Sequence, residues 1–100
     1  MAKGYWIGHV DITNEAGYQP YALANPAIFK KFGGRFVVRG GKFETPEGSA
    51  RARIVVIEFP DLATARACYH SPEYQANMQL RVASAVADVM IVEGYDGPQP

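Results

Sequence analysis

Three strand-like runs in this chain are apolar on both of their alternating faces, and no other feature constrains the fold as much. From Gly4 to Ile12, one face carries Tyr5, Ile7, His9 and Asp11 and the other Trp6, Gly8, Val10 and Ile12. In the run ending at Phe59, Arg51, Arg53, Val55, Ile57 and Phe59 alternate with Ala52, Ile54, Val56 and Glu58. Near the end of the chain, Met90 and Val92 alternate with Val89, Ile91 and Glu93. A sheet wetted on one side alternates polar with apolar. Neither face does so here. Each large aliphatic side chain left in water forgoes roughly 1.5–3 kcal/mol, so both faces need a cover.

The cover on one side comes from helices. "TNEAGYQPYALANPAIFKKF" opens on Thr13 or Asn14, both good helix N-caps. Asn25 before Pro26 reads as a second start, because proline suits the first helical turn and breaks an interior one. A kinked or two-piece helix follows, stopped by Gly33 as a left-handed cap. "GRFVVRGGKFET" and "ARARIVVIEF" are two strands joined through "PEG" as a hairpin. Asp61 caps a second helical region, which restarts at Ser71–Pro72, with Tyr74, Met78, Val82 and Ala85 on one apolar stripe. "DVMIVEGY" is the last strand, and 94–100 a loose tail.

The order is βαββαβ. One hundred residues fit a single domain over 1–100, and this order predicts an α+β, ferredoxin-like fold: a four-stranded antiparallel sheet with its helices on one face. That leaves the second face without a layer of its own, and another copy of the chain is the simplest cover. A homodimer is expected, its sheets packed face to face as in a dimeric α/β barrel. A monomer with a mildly apolar open face is the alternative.

Composition excludes some function classes. Ten Lys and Arg balance ten Asp and Glu, so no basic footprint for nucleic acid is present. An RNA-recognition domain shares the strand order, but "RGGKFE" places Gly41 where the stacking aromatic belongs. No run reaches membrane-spanning length, the start "MAKGYWIGHV" lacks a signal-peptide core, and Cys68 has no partner for a disulfide. A cytoplasmic protein with no membrane partner is expected.

"KGYWI", "GGRFVVRGG", "VVIEFP" and "SPEYQ" followed by a closing "VEG" occur in that order from Lys3 to Gly94. With them the chain resembles domain-of-unknown-function family 1330. The resemblance implies a dimeric α/β barrel, in the wider group that includes antibiotic-biosynthesis-type monooxygenases and muconolactone-isomerase-like proteins. It implies no reaction and carries over no catalytic residue.

Five residues are candidates for a ligand site. Arg39 shares a strand face with Arg35 and Val37, and a covered arginine needs a carboxylate. Glu58 and Glu93 are its obvious internal partners; a carboxylate-bearing ligand is the alternative, and Arg35 reads as solvated. His9 lies two residues from Asp11 on one strand face, as either an oriented base or a structural histidine. Tyr69 and Arg81 flank the second helical region, where the wider barrel group keeps its pockets. His9, Arg39, Glu58, Tyr69 and Arg81 therefore form the expected polar lining of a cavity. Gly33, Gly34, Gly40 and Gly41 read as cap and bend rather than a phosphate cradle, which sits between a strand and a helix start. His70 reads as a helix C-terminal charge. Two histidines and one cysteine at these spacings give no metal site, and no cofactor is expected. The sequence thus supports a homodimer binding a small molecule, a carboxylate-bearing one being the sharper version of that reading. The alternatives are a cofactor-independent enzyme resembling small monooxygenases or isomerases and a metabolite-sensing module.

Overall fold

The computed structural model describes residues 1–100. β1 (Gly4–Ile12) leads into α1 (Glu15–Lys31), β2 (Arg35–Arg39) and β3 (Arg53–Phe59); α2 (Leu62–Tyr69), α3 (Pro72–Ser84) and β4 (Ala85–Glu93) follow. The four strands form one sheet in the order β2-β3-β1-β4, with every neighbouring pair antiparallel. This is the ferredoxin-like α+β arrangement. No helix is long and apolar enough to cross a membrane.

The helices begin where short polar side chains can take up otherwise unbonded amides. Asn14 accepts from Gly17 N, Asp61 from Thr64 N and Ser71 from Tyr74 N. α1 ends as the sequence predicts. Gly33 adopts φ +69°, and the amides of Gly33 and Gly34 bond back to the Lys30 and Phe29 carbonyls. That pair of bonds is a Schellman cap, which favours glycine at the left-handed position.

Four expectations are corrected. α1 is one helix through Pro26, not two pieces: Asn25 is buried inside it, and its side chain accepts from Asn77 Nδ2 at 2.9 Å. β2 stops at Arg39, and the residues from 40 to 52 form a long connection without helix or strand. β4 starts at Ala85, directly from α3 and three residues earlier than Asp88. The buried face of α3 is Tyr74, Asn77, Arg81 and Ser84, while Val82 is 58% exposed. A mostly polar stripe is buried there because α3 meets polar groups of α1, such as the Tyr21 carbonyl and the Asn25 side chain.

The core gathers around Trp6, on a central strand. Its ring lies 4.8 to 5.6 Å from the rings of Tyr74, Phe29, Phe59 and Tyr69. Its Nε1–H donates to the Ala65 carbonyl at 2.8 Å. Gly4 lets the start of β1 pass beneath the entry to α2: a Cβ there would touch the Asp61 carbonyl and lie 2.7 Å from Leu62 Cα. Those are backbone atoms that cannot swing aside. Gly4→Ala is expected to cost about 1–3 kcal/mol, read as a lower urea midpoint at unchanged slope.

Candidate functional site

Strand parity decides which side chains meet the helices. Trp6, Gly8 and Val10 of β1 and Arg53, Val55, Ile57 and Phe59 of β3 point toward them, and their odd and even neighbours point away. β2 breaks this rule at Val37. Arg35 pairs with Glu58 and Phe36 with Ile57, but the next pairs are Val38 with Val56 and Arg39 with Val55, so Val37 is an extra residue. A bulge of this kind shifts the alternation by one. Arg35 and Arg39 therefore lie on opposite faces of the sheet, and not on one face as strict alternation predicts.

Arg39 accordingly pairs with neither Glu58 nor Glu93. Its guanidinium stacks 4.2 Å over the Phe36 ring, and Nη2 donates to the Ala22 carbonyl at 3.2 Å. That carbonyl is free because Pro26, four residues on, has no N–H to offer it. The proline that was expected to restart the helix instead lies inside it and frees an acceptor for an arginine from the sheet edge.

Between the helices and the sheet lies a cavity of about 50 Å³ that opens to solvent. Its floor includes Gly8, where a Cβ would find no neighbour closer than 3.7 Å. Trp6, Phe29, Phe36 and Ile57 supply an apolar wall. Three arginines reach it, Arg39 from β2, Arg53 from β3 and Arg81 from α3, and no aspartate or glutamate lines it. Arg81 is only 8% exposed, and its Nε, like the Nε of Arg53, is buried without a hydrogen-bond partner in the protein. Burial disfavours the Arg81 charge, but the nearby Tyr74 and Tyr21 oxygens outweigh it and leave the pKa raised. The Tyr21 and Tyr74 hydroxyls share one short hydrogen bond of 2.6 Å. Burial, and then Tyr21, push the Tyr74 hydroxyl far up, so it stays protonated. Tyr18 is likewise raised, chiefly by burial, with Arg53 and Arg81 both near enough to oppose the shift.

Of the five residues the sequence proposed, Arg39 and Arg81 meet at this cavity. The other three lie elsewhere. Tyr69 packs on Trp6 and donates its hydroxyl to Met78 Sδ at 3.5 Å. Glu58 lies on the open sheet face, where it accepts from Arg35 Nε and from the Tyr5 hydroxyl, each at 3.0 Å. Arg35 is thus ion-paired and not merely solvated. His9 is on the same open face. Its Nδ1 accepts from the Arg51 amide at 2.9 Å, and its Nε2 faces Asp88 at 3.2 Å. Its acidic neighbour is the residue directly across on β4 and not Asp11, because cross-strand partners stand closer than residues two apart on one strand. Asp11 instead binds Arg51 Nη1 and the Ala52 amide.

Sequence reading missed Arg53, Tyr18, Tyr21, Asn25 and Tyr74 as cavity residues. Arg53 had a visible signal, since it is in phase with the inward Val55 and Ile57. Tyr18, Tyr21 and Asn25 recur at helical spacing, and only the packing of α1 on α3 shows where they point. Cys68 is fully buried, and burial pushes its thiol up to about 12, which leaves it unreactive.

The family model for a domain of unknown function, DUF1330, matches residues 3–95, and the chain belongs to that family. No curated protein matches it. Among solved structures, the protein of unknown function RPA0582 from Rhodopseudomonas palustris is similar, with 14% identity, a TM-score of 0.76 and coverage of 96% of this chain and 85% of that one. SnoaB, a cofactor-independent oxygenase from Streptomyces nogalater, has 14% identity and a TM-score of 0.66 over 100% of this chain and 97% of its own. An ethyl tert-butyl ether d (ethd) family protein from Bacillus halodurans has 14% identity and a TM-score of 0.57, covering 95% and 100%. At such identities the likeness is one of fold.

The open-face ion pair gives a prediction about acid stability. The hydrogen bond from Arg35, followed by that from Tyr5, holds the Glu58 carboxyl below its ordinary value of 4.5. A carboxylate lowered in the fold stabilises at pH above its unfolded value and loses that contribution as pH falls through the folded one. Glu58→Gln should therefore narrow the gap between urea midpoints at about pH 7 and about pH 3.

Proposed function

We propose that this protein binds a small anionic molecule, with a carboxylate as its charged group, in the cavity between helices and sheet. The observation that carries this reading is the set of three arginines with no acid among the lining residues. Of the three, Arg81 is buried, Arg53 half-buried and Arg39 exposed at the mouth; a buried charge without an acidic partner is costly, and a bound carboxylate would supply that partner through charge-assisted hydrogen bonds. The apolar wall accepts the rest of the molecule.

The test uses 4-methylpentanoate at millimolar concentration as a probe. It should raise the melting temperature, because a ligand that binds only the folded state stabilises it. Arg81→Met, checked for folding by circular dichroism, should abolish that rise by removing one of the guanidinium donors that hold the carboxylate. Gly8→Val should also abolish it by filling the cavity floor, with every arginine left in place. An unchanged rise in either variant refutes the site.

We further propose that the binding unit is a homodimer joined through the open sheet face. Val38, Val56, Ile7 and Met90 form an apolar row across all four strands. Ion-paired groups flank it: Arg35 with Glu58 at one end, Arg51 with Asp11 and Asp88 at the other. An apolar centre with a charged rim suits a contact between copies. Light scattering after gel filtration should give a dimer mass, and Val56→Lys with Met90→Lys should give a folded monomer.

A second reading is cofactor-independent oxygenase or isomerase chemistry in the same cavity. It draws on the fold shared with SnoaB and on donors suited to an enolate-type anion. No carboxylate or imidazole lines the cavity to act as a base, which favours binding over catalysis.

A further inference from the structure

The polar groups of the cavity are unbalanced in kind, not only in charge. Arg53 Nε–H and Arg81 Nε–H are buried donors with no protein acceptor. The Tyr21 and Tyr74 hydroxyls have one hydrogen bond between them. Whichever donates it, the proton of the other has no acceptor in the protein. Two acceptors at the cavity are already engaged, Asn25 Oδ1 by Asn77 Nδ2–H and the Ala22 carbonyl by Arg39, and the remaining ones are the tyrosine oxygens themselves. Buried donors left unpaired are uncommon, so the unpaired donors define the ligand's acceptors. The guanidinium of Arg81 lies over the Tyr21 ring, its Cζ 5.8 Å from the centroid, beside the hydroxyl pair. Arg53 and Arg81 both lie close to Tyr18. Two guanidinium donors suit a carboxylate, and a phenolic donor beside them suits one further oxygen next to that carboxylate.

We propose that the cavity selects 2-oxo and 2-hydroxy acids with a short apolar tail, their carboxylate held by Arg53 and Arg81 and their 2-oxygen by the Tyr21–Tyr74 hydroxyl pair. This rests on the anionic-ligand reading above. The tail lies along Trp6, Phe29 and Ile57, over the space that Gly8 leaves open. A simple acid of the same shape leaves the tyrosine proton unpaired, and a site built to bond an oxygen discriminates against the analogue lacking it.

Calorimetric titration of the full chain with 4-methylpentanoate, 2-oxo-4-methylpentanoate and 2-hydroxy-4-methylpentanoate tests this. The two oxygenated acids should bind at least about tenfold tighter than the parent acid. In Tyr21→Phe/Tyr74→Phe, checked for folding by circular dichroism, that preference should vanish while the parent acid still binds. Equal affinity for all three acids in the native protein overturns the proposal and leaves the anion site standing. A preference that survives in the double variant also overturns it. Should the double variant not fold, the affinity ratio in the native protein decides alone. Failure of all three acids to bind at millimolar concentration overturns both this proposal and the reading beneath it.

Discussion

Trp6 is the point at which every layer of the protein meets. It stands on a central strand and touches an aromatic side chain from α1, from α3 and from β3, while its indole N–H is tied to the α2 backbone. A ring this large buries apolar area and fixes direction at once, because its single donor must find an acceptor when buried. All three helices are thus tied to one residue of the sheet. Toward β1's far end, Gly8 presents no side chain at all. The large residue and the absent one, two positions apart on the same strand face, make a sealed half and a hollow half. The cavity follows from that contrast.

The arginines give the hollow half its chemistry. Each comes from a different element and is restrained in its own way: Arg39 by a ring and a freed carbonyl, Arg53 and Arg81 by burial. A set of cations on separate elements resists collapse through mutual repulsion, and no acid is present to close the space. The protein holds a polar interior it does not satisfy by itself, which is a common property of sites awaiting a ligand.

Much of the fold was legible because local rules agreed with one another. Caps at Asn14, Asp61 and Ser71, the turn at Gly33 and alternation in β1 and β3 all pointed to the same order of elements. Legibility failed where tertiary contacts outweighed local rules. Pro26 sits inside α1 because Asn25 and the Ala22 carbonyl both find partners from other elements. The polar stripe of α3 was unreadable because apolar periodicity tracks burial only when the buried partner is apolar. At the cavity, Arg39 and Arg81 were readable as charges near a covered face. The tyrosines of α1 were not, since one helix looks alike whichever way it turns until its neighbour is known.

The extra residue at Val37 acts on the edge strand as a change of parity. Upstream of it, outward positions are odd-numbered; downstream, they are even-numbered. One short segment can therefore send a cation to each side of the sheet, one toward an acid on the open face and one toward the hollow. Chains of this fold that lack the insertion would carry their edge-strand arginines on a single side, and the contents of the two compartments would no longer be set independently.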